Sequence, residues 1–179
     1  IIAGHGVEIS GAQQALTEFS ERHNIPVVST LLGLGNFPQG HPNWAGMIGM
    51  HGDAVTNYAV HNANLIIGIG CRFDDRITGP VPDFVKGKTF IHMEIDPSEI
   101  NKNVKTEVPL PGDAKATLEA LLPLVQPKSY PEWVAGFRAC DHIEHERVIL
   151  SATSPTPSGG LTMGMVVKEV SRQTKGMAI

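Results

Sequence analysis

The densest group of chemically active side chains in the sequence follows a short apolar run, residues 65–67. Arg72, Asp74, Asp75 and Arg76 place four charges within five positions. In open α/β sheets, ligands bind outside the carboxyl ends of the strands, so charges at such a point favour a binding site for a polar or anionic ligand. The alternative is a solvated loop whose charges pair with one another, because exposed ion pairs are common and contribute little.

Glycines accompany two of the predicted strand exits. Gly68 and Gly70 end the apolar run, where glycine allows the backbone to leave the strand and approach a ligand closely. Gly4, His5 and Gly6 form a turn after the first strand. Such a turn exposes amides to a phosphate, and the next helix adds its positive end. A full Gly-x-Gly-x-x-Gly is missing, so a simple tight turn is the alternative.

Two further side chains stand close to predicted element ends. His51 precedes a helix, where a surface or hydrogen-bonding role is the alternative to a ligand contact. Glu94 lies near the carboxyl end of a strand, where a carboxylate can accept hydrogen bonds from both hydroxyls of a ribose. The alternative for Glu94 is to cap the turn at residues 97–100, but Asp96 is better placed for that role.

We predict no metal site. His142 and His145 are three residues apart and could share a metal, but the sequence shows no third or fourth ligand, so we expect them to face solvent. Cys71 and Cys140 lack metal-ligand spacing and are predicted to be reduced thiols of an intracellular protein, with a disulfide between them as the alternative.

Strand and helix patterns alternate about five times. Strand-like segments are predicted at residues 1–3, 25–29, 44–48, 65–67, 89–97 and 106–110, and a last one begins at residue 177. Helices are predicted at residues 10–22, after Asp53, after Asp113, from Tyr130 and after Thr162. The first helix should bury Ala12, Ala15, Leu16 and Phe19, the second carries Val55, Tyr58 and Ala59 on one face, and the fourth carries Trp133, Phe137 and Cys140 on one side. The alternation predicts an α/β fold of three layers, α/β/α, with a parallel six-stranded Rossmann-like sheet.

Length and composition narrow the function classes. A chain of 179 residues can hold one good-sized domain and little more. The net charge of −4 argues against a nucleic-acid surface, and no apolar segment approaches the roughly 20 residues that cross a bilayer. The chain has no initiator Met and no signal-like start, so we expect a fragment of a longer polypeptide. Residues 151–160 have the composition of a linker.

One motif resembles the acetolactate synthase family, also called acetohydroxyacid synthase, within the thiamine-diphosphate enzymes. Its residues are Gly70, Arg72, Phe73, Asp74, Asp75, Arg76, Thr78 and Gly79, preceded by Gly49, Met50, His51 and Gly52. The resemblance covers residues 1–126 and implies the family's central FAD-binding domain. Residues 127–160 would then be a helix and linker, and residues 161–179 the truncated start of the C-terminal thiamine-diphosphate domain.

The resemblance implies an enzyme that condenses two pyruvates, or pyruvate and 2-oxobutyrate, to acetohydroxyacids with release of CO₂ in branched-chain amino-acid synthesis. Thiamine diphosphate and Mg²⁺ carry the chemistry in other domains, and FAD lies across this domain without net redox. The catalytic glutamate and the Gly-Asp-Gly motif of the family are not found, so no catalytic residue is assigned and the chain alone should have no turnover. The FAD-binding residues implied are Gly4, His5, Gly6, Thr30, Leu31, Leu32, Gly49, Met50, His51, Gly70, Arg72, Asp74, Arg76, Ile77, Glu94, Ile95, Asp113 and Ala114.

The same resemblance implies partners and a location. These are the N- and C-terminal domains of the same polypeptide, a homodimer or homotetramer, a possible regulatory small subunit, and the bacterial cytoplasm, with no nucleic acid and no membrane. Asp75 would lie on the rim of the active-site channel. His5, where a small residue is common, and Glu94, where Asp is usual, depart from the family pattern.

Three rival interpretations stay open. The first is another thiamine-diphosphate carboligase or 2-oxoacid decarboxylase whose central domain binds ADP or nothing. The second is a stand-alone nucleotide-binding or regulatory module of the same architecture. The third is an NAD-dependent dehydrogenase, which would need the missing glycine fingerprint and a second domain.

Overall fold

The structure, a computed structural model, describes residues 1–175, except for the side chains of residues 137, 140 and 141. The predicted strand at residues 177–179 lies outside this range, as do the predicted packing roles of Phe137 and Cys140. Contacts divide the chain into two compact units, Ile1–Arg138 and a second that begins at Ala139. None of the described helices is long and apolar enough to cross a membrane.

The first unit is built on a six-stranded sheet in which every pairing is parallel. The strands are β1 (Ile2–Ala3), β2 (Val27–Ser29), β3 (Trp44–Met47), β4 (Leu65–Ile69), β5 (Thr89–Glu94) and β6 (Val108–Pro111). Their spatial order is β3-β2-β1-β4-β5-β6. The predicted fold class is therefore confirmed, and the order changes direction at β1, the first strand of the chain.

Helices flank the sheet and continue into the second unit. They are α1 (His5–Ile9), α2 (Gln13–His23), α3 (Ala54–Asn62), α4 (Asp75–Thr78), α5 (Val81–Phe84), α6 (Ala114–Leu121), α7 (Pro131–Glu144), α8 (Leu150–Ala152) and α9 (Met163–Gln173). A π-helical segment, His145–Ile149, joins α7 to α8.

Two hydrophobic clusters lie on opposite faces of the sheet. Adjacent residues of β1 separate into them, because side chains alternate along a strand: Ala3 packs with Leu16 and Leu118, whereas Ile2 packs with Val60 and Phe90. The first cluster belongs to α1, α2 and α6, and the second to α3 and α5. These two clusters give the three layers that the alternation predicts.

The segment after β1 differs from the prediction. The sequence predicts a turn followed by one helix at residues 10–22, but the structure has α1 directly after Gly4 and a separate α2 from Gln13. His5 and Gly6 therefore lie in the first turn of a helix. The predicted buried face of α2 is confirmed, since Ala12, Ala15, Leu16 and Phe19 are all less than 8% exposed.

The central strand is longer than predicted. β4 continues through Gly68 to Ile69. Glycine is needed at position 68 because a side chain there would overlap the buried ring of Phe73. Burial on both faces is confirmed for Ile66 and Ile67 but is wrong for Leu65, which is 47% exposed.

Helix α3 begins where predicted, but its buried face does not include Tyr58. Asp53 is its N-cap residue, yet its carboxylate accepts from the Met47 N–H at 2.8 Å instead of from an amide of the helix. The buried residues of α3 are Thr56 and Val60, whereas Tyr58 is 70% exposed.

Three other residues cap helical turns, of which Asp96 and Thr162 were expected as caps and Asp113 was not. Asp96 Oδ1 accepts from the Ser98 N–H at 2.9 Å, Asp113 Oδ1 from the Ala116 N–H at 2.9 Å, and Thr162 Oγ1 from the Met165 N–H at 3.3 Å. Each satisfies an amide that the first turn of a helix leaves without a partner.

Candidate functional site

A cleft of about 600 Å³ lies at the carboxyl ends of β1 to β5, within the size range of small-molecule sites. It is lined by Gly4, His5, Gly6, Ile9, Thr30, Leu31, Leu32, Met47, Ile48, Met50, His51, Gly70, Cys71, Arg72, Asp74, Arg76, Ile77, Glu94 and Ile95. The position follows from the strand order, because connections diverge on either side of β1 and leave a crevice between them.

The structure brings together fifteen of the eighteen residues predicted to bind a cofactor. They are Gly4, His5, Gly6, Thr30, Leu31, Leu32, Met50, His51, Gly70, Arg72, Asp74, Arg76, Ile77, Glu94 and Ile95. The other three, Gly49, Asp113 and Ala114, are absent from the lining. Asp113 caps α6, and Ala114 is buried at the start of that helix.

The floor of the cleft is a contact between glycines. A Cβ on Gly6 would lie 2.7 Å from the Gly70 Cα, and one on Gly70 would lie 2.6 Å from the Gly6 Cα. Gly70 has φ +58°, which disfavours other residues. The Gly4 and Gly6 N–H groups donate to Ile69 O at 2.9 Å and Gly70 O at 3.1 Å. These amides are therefore used within the protein, and the glycines contribute a close-packed wall without side chains.

The exit of β2 forms an apolar wall. Leu31 and Leu32 are 61% and 66% exposed, in the 3₁₀ turn Leu31–Gly33. Its N-cap residue, Thr30, accepts from the Gly33 N–H at 3.2 Å through Oγ1. Behind this wall the buried amide of Asn36 donates to Gly4 O at 2.9 Å. Asn36 thus ties the exit of β2 to that of β1.

A turn at residues 49–52 crosses from the exit of β3 to α4, which follows β4. The Met50 N–H donates to Arg76 O at 2.8 Å. Gly49 has φ +111°, and a Cβ there would lie 2.7 Å from Arg76 O. The turn is further held by Asn57 of α3, whose side-chain amide bonds both the N–H and the C=O of Gly49.

The charged loop pairs internally, as the alternative interpretation predicts, and also lines the cleft. Arg72 Nη2 lies 3.3 Å from Asp74 Oδ2, and Arg76 Nε lies 3.9 Å from Asp75 Oδ1. Both arginine side chains are more than 65% exposed, so they can turn toward an anion at little cost. Asp74 also N-caps α4, accepting from the Arg76 N–H at 3.2 Å.

Glu94 closes the far end of the cleft and is only 7% exposed. Its Oε1 accepts from the Ile95 and Asp96 N–H groups at 2.9 and 3.3 Å. Its Oε2 lies 4.0 Å from Nε2 of the buried His92. That nitrogen is 2.8 Å from Cys71 O and must carry the proton in this bond, because a carbonyl can only accept.

Cys71 does not supply a nucleophile. It is a free thiol, and burial, with a smaller contribution from the Glu94 charge, raises its pKa to about 12. The thiolate, which is the reactive form, is therefore scarce at neutral pH. Among the described residues, no three His, Cys, Asp or Glu side chains form a group that could hold a metal ion. His142 and His145 are exposed.

Residues 1–121 match the family described as "Thiamine pyrophosphate enzyme, central domain". The chain belongs to the thiamine pyrophosphate enzymes. As in the other open α/β folds, its cleft lies where the strand order reverses, so the family domain and the cleft are formed by the same part of the chain.

Two relatives of this thiamine pyrophosphate enzyme domain are named as acetolactate synthase large subunits. "Probable acetolactate synthase large subunit" of Methanocaldococcus jannaschii is 50% identical over 122 residues, which are 68% of this chain and 21% of that protein. "Acetolactate synthase isozyme 3 large subunit" of Escherichia coli is 36% identical over 179 residues, 99% of this chain and 31% of that protein. The chain therefore spans less than a third of these relatives.

Sequence reasoning missed four lining residues of the thiamine pyrophosphate enzyme domain: Ile9, Met47, Ile48 and Cys71. The sequence predicts a turn where α1 lies, so Ile9 is not among the predicted contacts. A helix there places Ile9 one turn after His5. Met47 and Ile48 lead from β3 into the predicted turn, and Cys71 lies inside the predicted loop, so proximity to the motifs was an available signal.

Proposed function

We propose that this chain is the FAD-holding central part of an acetolactate synthase. The whole enzyme would condense two pyruvates, or pyruvate and 2-oxobutyrate, and release CO₂. The observation that carries the proposal is the convergence of fifteen predicted FAD contacts on one cleft. The names of the relatives support it, since each of those reported above is an acetolactate synthase large subunit.

The cleft fits an extended dinucleotide in shape and chemistry. It passes from Glu94, whose Oε2 is available to a ribose hydroxyl, along the glycine floor to the apolar side chains of Leu31 and Leu32. Arg72 offers a guanidinium with a fixed arrangement of donors to phosphate or ribityl oxygens, in exchange for its bond to Asp74. We assign FAD a structural role in this position.

The carboligation chemistry would come from thiamine diphosphate, which supplies a carbanion that no side chain provides. Because the family's Gly-Asp-Gly motif is not found in this sequence, we place thiamine diphosphate and Mg²⁺ in other domains of the enzyme. The chain alone should then have no turnover. Its proposed partners are those domains, one or more further copies of the enzyme, and a regulatory small subunit, as the term large subunit in the relatives' names suggests.

Titration of the purified chain with FAD, followed by flavin fluorescence, tests this proposal. We expect weak saturable binding, since the other domains would enclose the rest of the flavin. Replacing both Arg72 and Glu94 with alanine should weaken binding about tenfold or more, through lost charge-assisted hydrogen bonds. The double variant Lys115→Ala, Glu119→Ala is the control, because it removes an exposed cation and anion on α6. Equal FAD affinity in both double variants would contradict the proposed contacts.

A further inference from the structure

Asn57 is absent from the cleft lining, yet it makes the most specific side-chain contact to the turn at residues 49–52. Its Oδ1 accepts from the Gly49 N–H at 3.0 Å, and its Nδ2 donates to Gly49 O at 3.0 Å. The N–H and the C=O of Gly49 belong to the two peptide units on either side of its Cα, so these two bonds hold the orientation of both units. Only asparagine and glutamine carry both a donor and an acceptor of this kind.

One of these two peptide units also carries the Met50 N–H, which makes the contact that joins two walls of the cleft. β3 and β4 are separated by β2 and β1 in the sheet, roughly 14 Å at the usual strand spacing. The turn at residues 49–52 and α4 bridge this separation, because the Met50 N–H donates to Arg76 O at 2.8 Å. A change in the orientation of the peptide units beside Gly49 would therefore move Met50 and His51 on one wall and break the hydrogen bond to Arg76 O on the other.

The remaining contacts of the turn do not replace Asn57. The Gly52 N–H donates to Gly49 O at 2.9 Å, and the Asp53 N–H donates to Met47 O at 2.9 Å. These bonds lie between residues 47 and 53, whereas Asn57 connects the turn to α3, a helix that packs on the sheet. A Cβ at Gly49 would overlap Arg76 O, so the turn has little freedom to shift without losing the contact.

We propose that Asn57 is a positioning residue that preorganises the flavin side of the cleft by fixing Gly49 against Arg76. This rests on the proposed function, in which Glu94 faces the adenosine, and it adds that the turn at residues 49–52, which puts Met50 and His51 in the lining, faces the flavin. Asn57 would then affect the flavin half of the ligand while the adenosine half is bound independently. Preorganised walls improve affinity because the ligand need not order them on binding.

The test compares Asn57→Ala with Asn62→Ala in the full chain. Asn62 lies on the same helix, is exposed, and donates to Tyr58 O at 2.8 Å, so it controls for loss of an asparagine from α3. Asn57→Ala should weaken FAD binding about tenfold, the effect of losing one to two hydrogen bonds, and leave ADP affinity unchanged. Asn62→Ala should change neither.

A second variant keeps the size of the side chain and removes only its donor. Asn57→Asp keeps the acceptor for the Gly49 N–H but sets a carboxylate oxygen against Gly49 O, so it should weaken FAD binding as well. FAD affinity equal to wild type in both Asn57 variants would overturn the proposal. A parallel loss of FAD and ADP affinity would overturn it too, because this would show a general loss of structure.

Amide hydrogen exchange without ligand keeps this test independent of the flavin proposal. In Asn57→Ala the Gly49 and Met50 amides should exchange at least about tenfold faster than in wild type, whereas Asn62→Ala should leave them protected. Unchanged protection in Asn57→Ala would overturn the positioning role. If the wild-type chain binds no FAD while the exchange result holds, the proposed function fails and the role of Asn57 in fixing the turn stands.

Discussion

At the scale of single residues, the cleft depends on close approach between backbones as much as on side chains. Gly4, Gly6 and Gly70 let the exits of β1 and β4 touch. The sequence indicated these glycines, because glycine between a strand and a helix is a strong local signal. Asn36, Asn57 and His92 could not be predicted, because they act by hydrogen bonds to the main chain of other segments, from 8 to 32 residues away.

Gly6→Ala should destabilise the protein although alanine is the better helix former. Helix propensity favours the change by about 1 kcal/mol, but the new methyl would lie 2.7 Å from the Gly70 Cα, and overpacking of this kind costs about 1–3 kcal/mol. We expect a net loss of up to about 2 kcal/mol in the free energy of unfolding, measured with urea.

Gly136→Ala is the matched control for that substitution. Gly136 also lies in a helix, α7, but among the described residues no atom other than those of its chain neighbours and the nearby backbone of its own helix lies within 4 Å of the position that its new methyl would take. It should gain up to about 1 kcal/mol. If Gly6→Ala also gained stability, the close contact with Gly70 would be wrong.

The Cys71 thiol should be inert in the folded protein. In a Cys140→Ser variant, which leaves one thiol, a disulfide reagent at pH 8 should react much more slowly with native than with unfolded protein, because burial raises the Cys71 pKa to about 12. Rapid reaction of the native variant would show that Cys71 is accessible.

At the scale of elements, periodicity predicted the strands and the larger helices but not the details at their ends. The buried face of α2 and the caps at Asp96 and Thr162 follow from local patterns. Helix α1 was missed because five residues are too few to show a helical period. The face of α3 was misassigned because the sheet, not the local pattern, decides which side is buried.

The C-terminus of α2 should make the stability depend on pH. His23 is 2% exposed and packs on Phe19, and burial, together with the charge of Arg22, lowers its pKa from the ordinary value of 6.5. Between these two pKa values the unfolded state binds more protons than the folded state. The contribution of neutral His23 to the free energy of unfolding is therefore fully present above pH 6.5 and is lost as pH falls through the pKa of the folded state.

Urea denaturation of wild type and His23→Gln at several pH values between 5 and 8 measures this effect. The free energy of unfolding of wild type should fall more than that of the variant as pH decreases below 6.5. Parallel curves for the two proteins would contradict a lowered pKa of His23.

At the scale of the whole molecule, the cleft lies in the first unit, because the six-stranded sheet and the residues that match the family are both in that unit. The sequence predicts that the central domain ends at residue 126, and the first compact unit extends to Arg138. The guanidinium Nη2 of Arg138 lies 2.6 to 3.1 Å from the carbonyl oxygens of His41, Pro42 and Trp44, beside the edge strand β3. Composition cannot reveal such a contact between segments nearly a hundred residues apart.

A chain of residues 1–138 should therefore be more stable than one of residues 1–126. We expect a difference of about 1–3 kcal/mol in the free energy of unfolding, from hydrogen bonds to a charged group. Arg138→Ala in the longer chain should remove a large part of the difference. Equal stability of the two truncated chains would place the boundary at residue 126.

The central claim is that one cleft receives both halves of a flavin-adenine dinucleotide, and calorimetric titration with FAD, ADP and FMN tests it most directly. Because FAD contains both halves, we predict one FAD per chain, bound at least about tenfold more tightly than either ADP or FMN. ADP binding as tightly as FAD, or a failure of FAD to bind, would contradict the account.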